Sequence, residues 1–223
     1  MSTAFEKAVS RSSQQAFATN KVIKNTYLLL SATLVFSGLM AMLSLYLAVP
    51  LWTYTASLIV AMLLGMFVLP RTAESSAGLG VIFAITGLMG FGLGAVISLY
   101  LQLPNGPQTV ALALGGTGVI FLGLSGHALS SRRDFSFMGG FIFAGMMVMM
   151  VAVLANLFLQ IPAFQLAIAA GFILVMSGFI LFQTSQMIHG GETNYIHATY
   201  GLYLSIFNIF ISLLQILGIF GDD

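Results

Sequence analysis

The chain has 223 residues, of which 59% are hydrophobic and only 6% are charged. A soluble domain of this size needs far more ionised groups on its surface, so the composition excludes one and indicates an integral membrane protein. The net charge of +1 provides no field for nucleic acid, and the absence of cysteine excludes disulfides, thiolate chemistry and cysteine-ligated metals. Membrane-spanning strands alternate polar and apolar residues, which the apolar runs of this chain do not, so helices are expected.

Four long stretches without any charged residue follow a polar N-terminal segment. They cover residues 25–70, 75–131, 135–191 and 193–221. Because about 20 apolar residues cross the hydrocarbon core, each of the first three holds two helices and the last holds one. Prolines near the middle of the first three stretches mark tight turns. We therefore predict an all-α membrane protein, a seven-transmembrane helix bundle of three hairpins plus a last helix, with spans at about 27–48, 51–69, 79–101, 108–129, 137–159, 163–187 and 197–219.

Residues 1–26 contain too few apolar side chains to build a core, so we expect a disordered tail in front of a transmembrane domain over residues 27–220. The three proline turns carry no lysine or arginine, whereas this tail and the other connections carry all seven. The positive-inside rule then places the tail in the cytoplasm, and seven spans place the C-terminus on the opposite side. Tyrosines near the cytoplasmic ends of the spans, Tyr203 among them, are expected to anchor at the membrane interface.

Polar side chains recur every three or four residues along the seventh predicted span, so they form one stripe on an apolar helix. Two carboxamides one turn apart on the sixth span are natural partners for this stripe. Such groups form interhelical hydrogen bonds or line the path of a solute or ion. The spans offer no secure ionisable side chain at depth, which weakens a proton-coupled transporter. The candidate polar core of the bundle comprises Gln183, Gln186, Ser205, Asn208, Ser212 and Gln215.

One tetrapeptide looks like the site of an enzyme. Residues 123–126 read GLSG, which matches the GxSG pattern of rhomboid intramembrane proteases. In those enzymes the serine pairs with a histidine on a later span, and His189 and His197 are superficially available to Ser125. Both histidines fall in a predicted loop, however, and a chain with 24 glycines forms this tetrapeptide easily by chance. We therefore predict no catalytic residue and no enzymatic activity.

The loop before the last span contains residues of metal-binding type. His189, Glu192 and His197 are possible zinc ligands, but their spacing matches no helix-face motif. A glycine-hinged loop that Thr193 or Asn194 caps explains the same residues, and we favour it. The sequence thus predicts no metal site and no cofactor.

Four segments make the chain recognisable: NTY at 25–27, RRDFSFMGG at 132–140, NLFLQIP at 156–162 and HGGETNY at 189–195. With these segments the chain resembles the bacterial YccA-like branch of the Bax inhibitor-1 family, over nearly everything from residue 21 to residue 220. The resemblance implies a seven-helix bundle with the last helix at its centre, in the inner membrane. The count of seven spans then puts the C-terminus in the periplasm. It also implies association with the membrane AAA protease FtsH and modulation of its degradation of membrane substrates.

Other branches of that family resemble pH-sensitive calcium leaks, which use two aspartates facing each other from the sixth and seventh helices. Matching the chain to them places Gln183 and Ser205 at these positions, so both carboxylates are absent. Without them calcium loses its anionic ligands and the gate loses its titratable groups.

The function that we expect is therefore that of a non-enzymatic adaptor or slow competing substrate, which the protease engages through the N-terminal tail. The alternative is an ion channel or calcium-leak-type protein without the aspartate pair. The residues that we expect to interact on the cytoplasmic side are Lys7, Arg11, Lys21, Lys24, Arg132, Arg133, His189 and Glu192.

Overall fold

The computed structural model describes the backbone of residues 2–220 and the side chains of residues 18–219. All regular elements in this part of the chain are helical. They are α1 (Ser2–Tyr46), α2 (Trp52–Leu63), α3 (Leu69–Thr72), α4 (Ala77–Tyr100), α5 (Gly106–Ser131), α6 (Met138–Leu159), α7 (Pro162–His189) and α8 (Tyr195–Phe220). A π-helical turn, Leu64–Val68, joins α2 to α3, and these three pieces form one span. Seven helical stretches are long and apolar enough to cross a membrane, which confirms the predicted architecture.

Six spans begin and end within three residues of their predicted bounds, and the first ends two residues before its own. Its helix already packs before residue 27, because Thr26 is fully buried and Val22 and Ile23 lie against the core. Lys21 and Lys24 do not prevent this packing, because they are exposed on the outer side of the same helix, where long lysine side chains can reach the membrane interface. The helical backbone extends back to Ser2, where the sequence predicts a disordered tail.

The helices end where the chain cannot continue them. Proline stands in the first turn of α5 and of α7, a position that needs no amide donor. At the other end of α7, Gly190 adopts φ 78°, a left-handed conformation that glycine reaches without a steric penalty. We call the side of the bundle with connections 47–51, 101–105 and 160–161 the turn end, and the side with connections 73–76, 132–137 and 190–194 the basic end.

The last helix occupies the centre of the bundle, because α8 packs against α1, α4, α5 and α7. Its side chains Leu202, Ile209 and Leu214 are completely buried. By contrast, α6 packs on α7, and Ile142 is its one buried residue, so most of its apolar surface faces outward. The central position of the last helix agrees with the prediction.

A close helix approach joins α4 to α1. A Cβ atom on Gly90 would lie 2.2 Å from the carbonyl oxygen of Ser37, and one on Gly94 would lie 2.5 Å from that of Ala41. Only residues without a side chain allow this contact, as in other small-xxx-small interfaces between membrane helices. The two glycines therefore serve packing inside one chain.

Candidate functional site

A buried tyrosine on α8 makes the central hydrogen bonds of the bundle. The Tyr203 hydroxyl donates to the carbonyl oxygen of Thr86 on α4 at 3.2 Å and lies 2.7 Å from the hydroxyl of Ser37 on α1. The Tyr203 side chain is only 1% exposed, so its predicted role as an interfacial anchor is wrong. The residue instead ties the central helix to two others.

A second group of hydroxyls lies near the basic end. Tyr27 hydrogen-bonds to Ser125 and lies 3.5 Å from the Thr184 hydroxyl, which joins α1, α5 and α7. Ser125 is the serine of the protease-like tetrapeptide, and it is 2% exposed. Its partner is a tyrosine, and neither His189 nor His197 bonds to it. The arrangement that would activate this serine as a nucleophile is therefore not formed.

The polar stripe of α8 bonds largely to its own helix. The Ser205 hydroxyl donates to the carbonyl oxygen of Gly201 at 3.0 Å, and the Asn208 amide donates to that of Leu204 at 2.8 Å. A serine can satisfy its hydroxyl in this way inside a helix. These two side chains thus do not make the interhelical hydrogen bonds considered from the sequence.

The outer half of the stripe opens into a cavity of about 440 Å³ at the turn end, which we call the turn-end cavity. Asn208, Ser212 and Gln215 line it from α8, and α6, α7 and the turn between them complete its wall. The wall consists of Val153, Asn156, Leu157, Gln160, Pro162, Gln165, Ile168, Phe172, Asn208, Ile211, Ser212 and Gln215.

The remaining residues of the predicted polar core lie elsewhere. Gln183 and Ser205 are buried below the cavity, where Gln183 packs beside Gly201. Gln186 points to the basic end, because its Oε1 atom lies against Gly191 in the connection from α7 to α8. Of the six predicted residues, three therefore line the turn-end cavity, Gln183 and Ser205 are buried outside it, and Gln186 lies toward the basic end.

One buried serine fastens the α5–α6 connection to α7 at the basic end. The Ser185 hydroxyl accepts a hydrogen bond from the backbone N–H of Phe135 at 2.9 Å and donates to the carbonyl oxygen of Arg133 at 3.3 Å. The Nδ1 atom of His189 lies 2.9 Å from the carbonyl oxygen of Ser185, to which it donates. With its proton on Nδ1, His189 cannot accept the Ser185 proton at that atom.

The α5–α6 connection carries Asp134, a carboxyl group whose pKa is lowered. The hydroxyl of Ser136, together with its backbone N–H at 2.8 Å, holds the pKa of the exposed Asp134 carboxyl below its usual value. The nearby His189 acts in the same direction. Asp134 therefore stays ionised at neutral pH.

The connection from α7 to α8 is held by its own polar side chains. Glu192 accepts a hydrogen bond from the N–H of Asn194 at 2.8 Å, and Asn194 in turn accepts one from the N–H of Ile196 at 2.8 Å. The Asn194 amide also donates to the carbonyl oxygen of Ala73 at 3.0 Å, across to the α3–α4 connection. This confirms that Asn194 caps the last helix. No three His, Asp or Glu side chains in the described part of the chain share a place that could hold a metal ion.

A second cavity of about 790 Å³, the basic-end cavity, lies between residues 18–23 of α1 and the ends of α5 and α7. Arg132, His189 and Glu192 line it. The exposed side chains of Lys21, Lys24 and Arg133 lie at the same end of the bundle. Lys7 and Arg11, which we also predicted to interact there, lie outside the residues whose side chains the structure describes.

Known proteins resemble this chain over most of its length. The family model described as "Inhibitor of apoptosis-promoting Bax1" matches residues 19–222. A protein of Escherichia coli K12 named modulator of FtsH protease YccA is 48% identical over 92% of this chain and 93% of its own length. An inner membrane protein YccA of E. coli O6:H1 shows the same identity and coverage, and an uncharacterized Pseudomonas aeruginosa protein is 50% identical over 91% of this chain and 90% of its own. This chain belongs to the Bax inhibitor-1 family, as the sequence predicts.

Proposed function

We propose that this protein binds a membrane AAA protease of the FtsH type and slows its degradation of other membrane proteins. The observation that carries the proposal is the 48% identity, over 92% of this chain, to an E. coli protein named modulator of FtsH protease. The protein resides in a bacterial inner membrane, with its N-terminus in the cytoplasm and its C-terminus in the periplasm. It acts as an adaptor or a slow competing substrate and catalyses no reaction itself.

The basic end is the face that the protease engages. The N-terminal segment of residues 1–26 supplies an end of the chain that an ATP-driven protease can pull, while Arg132 and His189 line a cavity beside residues 18–23 of α1. The exposed lysines of α1 add positive charge at the same face.

The bundle supports slow degradation because its hydrogen bonds join segments that are distant in the chain. The Tyr203 hydroxyl reaches α1 and α4, and Tyr27 reaches α5 and α7. Forced unfolding depends on the unfolding rate, so a bundle that must break several such contacts at once holds the protease for a long time.

Deletion of residues 2–16 tests this mechanism, because it removes most of the predicted tail and keeps Val22 and Ile23, which pack against the core. The full chain is expected to co-purify with the protease from native membranes and to slow degradation of a model membrane substrate in proteoliposomes. The shortened chain should lose the slowing. A double substitution of Lys7 and Arg11 by glutamine keeps the length of the N-terminal segment but removes two positive charges. It therefore shows whether the protease needs the segment itself or only its charge. The mechanism is wrong if the deletion leaves both association and slowing unchanged.

A second candidate function is the passage of an ion or solute along α8. The polar wall that Asn208, Ser212 and Gln215 contribute to the turn-end cavity favours it. The seam below that cavity is closed, since Gln183 and Ser205 are buried, so passage requires a second conformation. Liposomes with the purified protein should then pass calcium or a monovalent ion between about pH 6 and pH 8, the range in which histidine titrates. Absence of flux across this range rejects a channel and leaves the protease modulator untouched.

A further inference from the structure

The turn-end cavity has the size and wall of a binding site for a small molecule. Its volume of about 440 Å³ falls within the range of about 300–1,000 Å³ that small-molecule sites occupy. We propose that it binds an uncharged ligand that carries amide groups and apolar side chains, namely a short peptide segment without ionised groups. This inference does not depend on the proposed interaction with a protease.

Carboxamides make up most of the polar part of the wall. Asn156, Gln160, Gln165, Asn208 and Gln215 line the cavity. Asn156 Oδ1 already accepts the N–H of Ile161, and the Asn208 amide already donates to Leu204, but each of these carboxamides keeps a second N–H and a second lone pair for a ligand. A peptide group offers the complementary pair, one N–H and one C=O, so each carboxamide can form two hydrogen bonds with it. Hydroxyl-only ligands or single ions do not match this repeated pairing.

Several of these polar groups have no partner inside the protein. Among residues 18–219, the side chains of Gln165 and Gln215 make no hydrogen bond, and neither does the hydroxyl of Ser212. Ser212 is only 4% exposed, although it lines the cavity. An unpartnered hydroxyl on a side chain as buried as Ser212 costs free energy, so a ligand that bonds to it gains affinity. The exposed Gln165 and the half-buried Gln215 can add hydrogen bonds of their own. An acyl chain in the same place would leave these groups unpaired.

The rest of the wall selects against charge. Val153, Ile168 and Phe172 are apolar, and no lysine, arginine, histidine, aspartate or glutamate lines the cavity. An ionised terminus or side chain would lose its hydration in the inner part of the cavity, beside the buried Ile168 and Ser212, without an opposite charge to replace it. Apolar side chains of a peptide, on the other hand, find apolar surface between the carboxamides. The ligand is therefore amphipathic and neutral.

Calorimetric titration of the full chain in lipid nanodiscs tests the proposal. The probe is N-acetyl-leucyl-leucinamide, and the comparison ligand is dileucine with free ends, which has the same side chains but two charges. The capped probe is expected to bind at least about tenfold more tightly, which corresponds to about 1.4 kcal/mol. Equal affinity for the two ligands, or no binding of the capped probe up to its solubility limit, overturns the proposal.

Two variants locate the site. The double variant Gln165→Leu with Gln215→Leu should weaken binding of the capped probe about tenfold or more, because each lost hydrogen bond costs a factor of about 2 to 10. Ser212→Ala removes a hydroxyl that makes no bond in the protein, so the fold should survive while binding weakens about threefold. Gln102→Leu is the matched control, since Gln102 is an exposed carboxamide at the same end of the bundle but outside the cavity. Equal binding by the double variant and the control places the ligand elsewhere and rejects this site.

Discussion

Replacement of Gly90 by alanine tests the close contact between α1 and α4. The new methyl carbon would lie 2.2 Å from the carbonyl oxygen of Ser37 and 2.5 Å from its hydroxyl. Comfortable non-bonded contacts begin at about 3.5 Å, so the two helices would have to separate by about 1 Å at this point. The obstacle is backbone, which cannot rotate away as the end of a flexible side chain can.

The expected change in stability of Gly90→Ala is the cost of overpacking minus the gain in helix propensity. Overpacking of a well-packed interior costs about 1–3 kcal/mol, and sometimes more. Alanine returns up to about 1 kcal/mol through its better helix propensity. Separation of the helices also strains the hydrogen bond between Ser37 and Tyr203, and such interhelical bonds contribute about 0.6 kcal/mol on average. We expect a net loss of about 1–3 kcal/mol, and for a chain of this size each kcal/mol lowers the unfolding midpoint by about 2–4 °C.

The assay is thermal unfolding in one detergent, followed by the loss of helical circular dichroism. All variants must be heated at one rate, because irreversible unfolding makes the midpoint depend on the scan. Gly123→Ala is the matched control, since no atom lies within 4 Å of the methyl group that it adds to α5. Its midpoint should equal or exceed that of the natural chain. A midpoint for Gly90→Ala that is not below that of Gly123→Ala would refute the close packing of α1 on α4.

Three further predictions concern individual polar groups. Tyr203→Phe keeps the buried ring but removes the hydroxyl that meets Ser37, so the same melting assay should show a loss of about 0.6–1.7 kcal/mol; an unchanged midpoint would contradict its role as a tie. Ser185→Ala removes the acceptor for the N–H of Phe135, so hydrogen exchange in the 132–137 connection should speed up about fivefold, and equal exchange in both proteins would argue against this tie. The Asp134 carboxylate has a lowered pKa in the fold, so its stabilisation is present above its usual pKa of 3.8 and is lost as the pH falls through the lowered value. Asp134→Asn should therefore lower the melting midpoint at neutral pH but not at about pH 2, whereas the same difference at both pH values would disprove this linkage.

Most of the fold could be predicted because the bilayer restricts the chain so strongly. Charged residues at Arg71, Arg132 and Glu192 mark connections, and prolines such as Pro162 mark turns, so the apolar lengths between them determine the number of helices. Charged residues and prolines could not predict where α1 begins to contact the rest of the bundle. Val22 and Ile23 pack against the core although lysines stand on either side of them, because the charged and apolar side chains occupy different faces of one helix.

Less of the polar interior could be predicted. The spacing of Ser205 and Ser212 predicts that both lie on one face of α8, and both side chains are buried. The spacing could not decide whether a hydroxyl bonds to its own helix, as Ser205 does, or to another. The Tyr203 hydroxyl was missed because its partner on α1 lies 166 residues away in the sequence. Tyr203 lies two positions before Ser205, on roughly the opposite side of the helix, so it is not part of the polar stripe. The turn-end cavity depends on the gap between α6, α7 and α8, and no local pattern encodes such a gap.

The central position of α8 has a consequence for biosynthesis. The helix that α1, α4, α5 and α7 surround follows all four of them in the chain, so the ribosome delivers it to the membrane after them. Until it arrives, the Ser37 hydroxyl lacks its tyrosine, and the four surrounding helices share an unfilled space. A chain that stops before Tyr195 therefore cannot fill the space between these helices, so the bundle can pack completely only after α8 has been made.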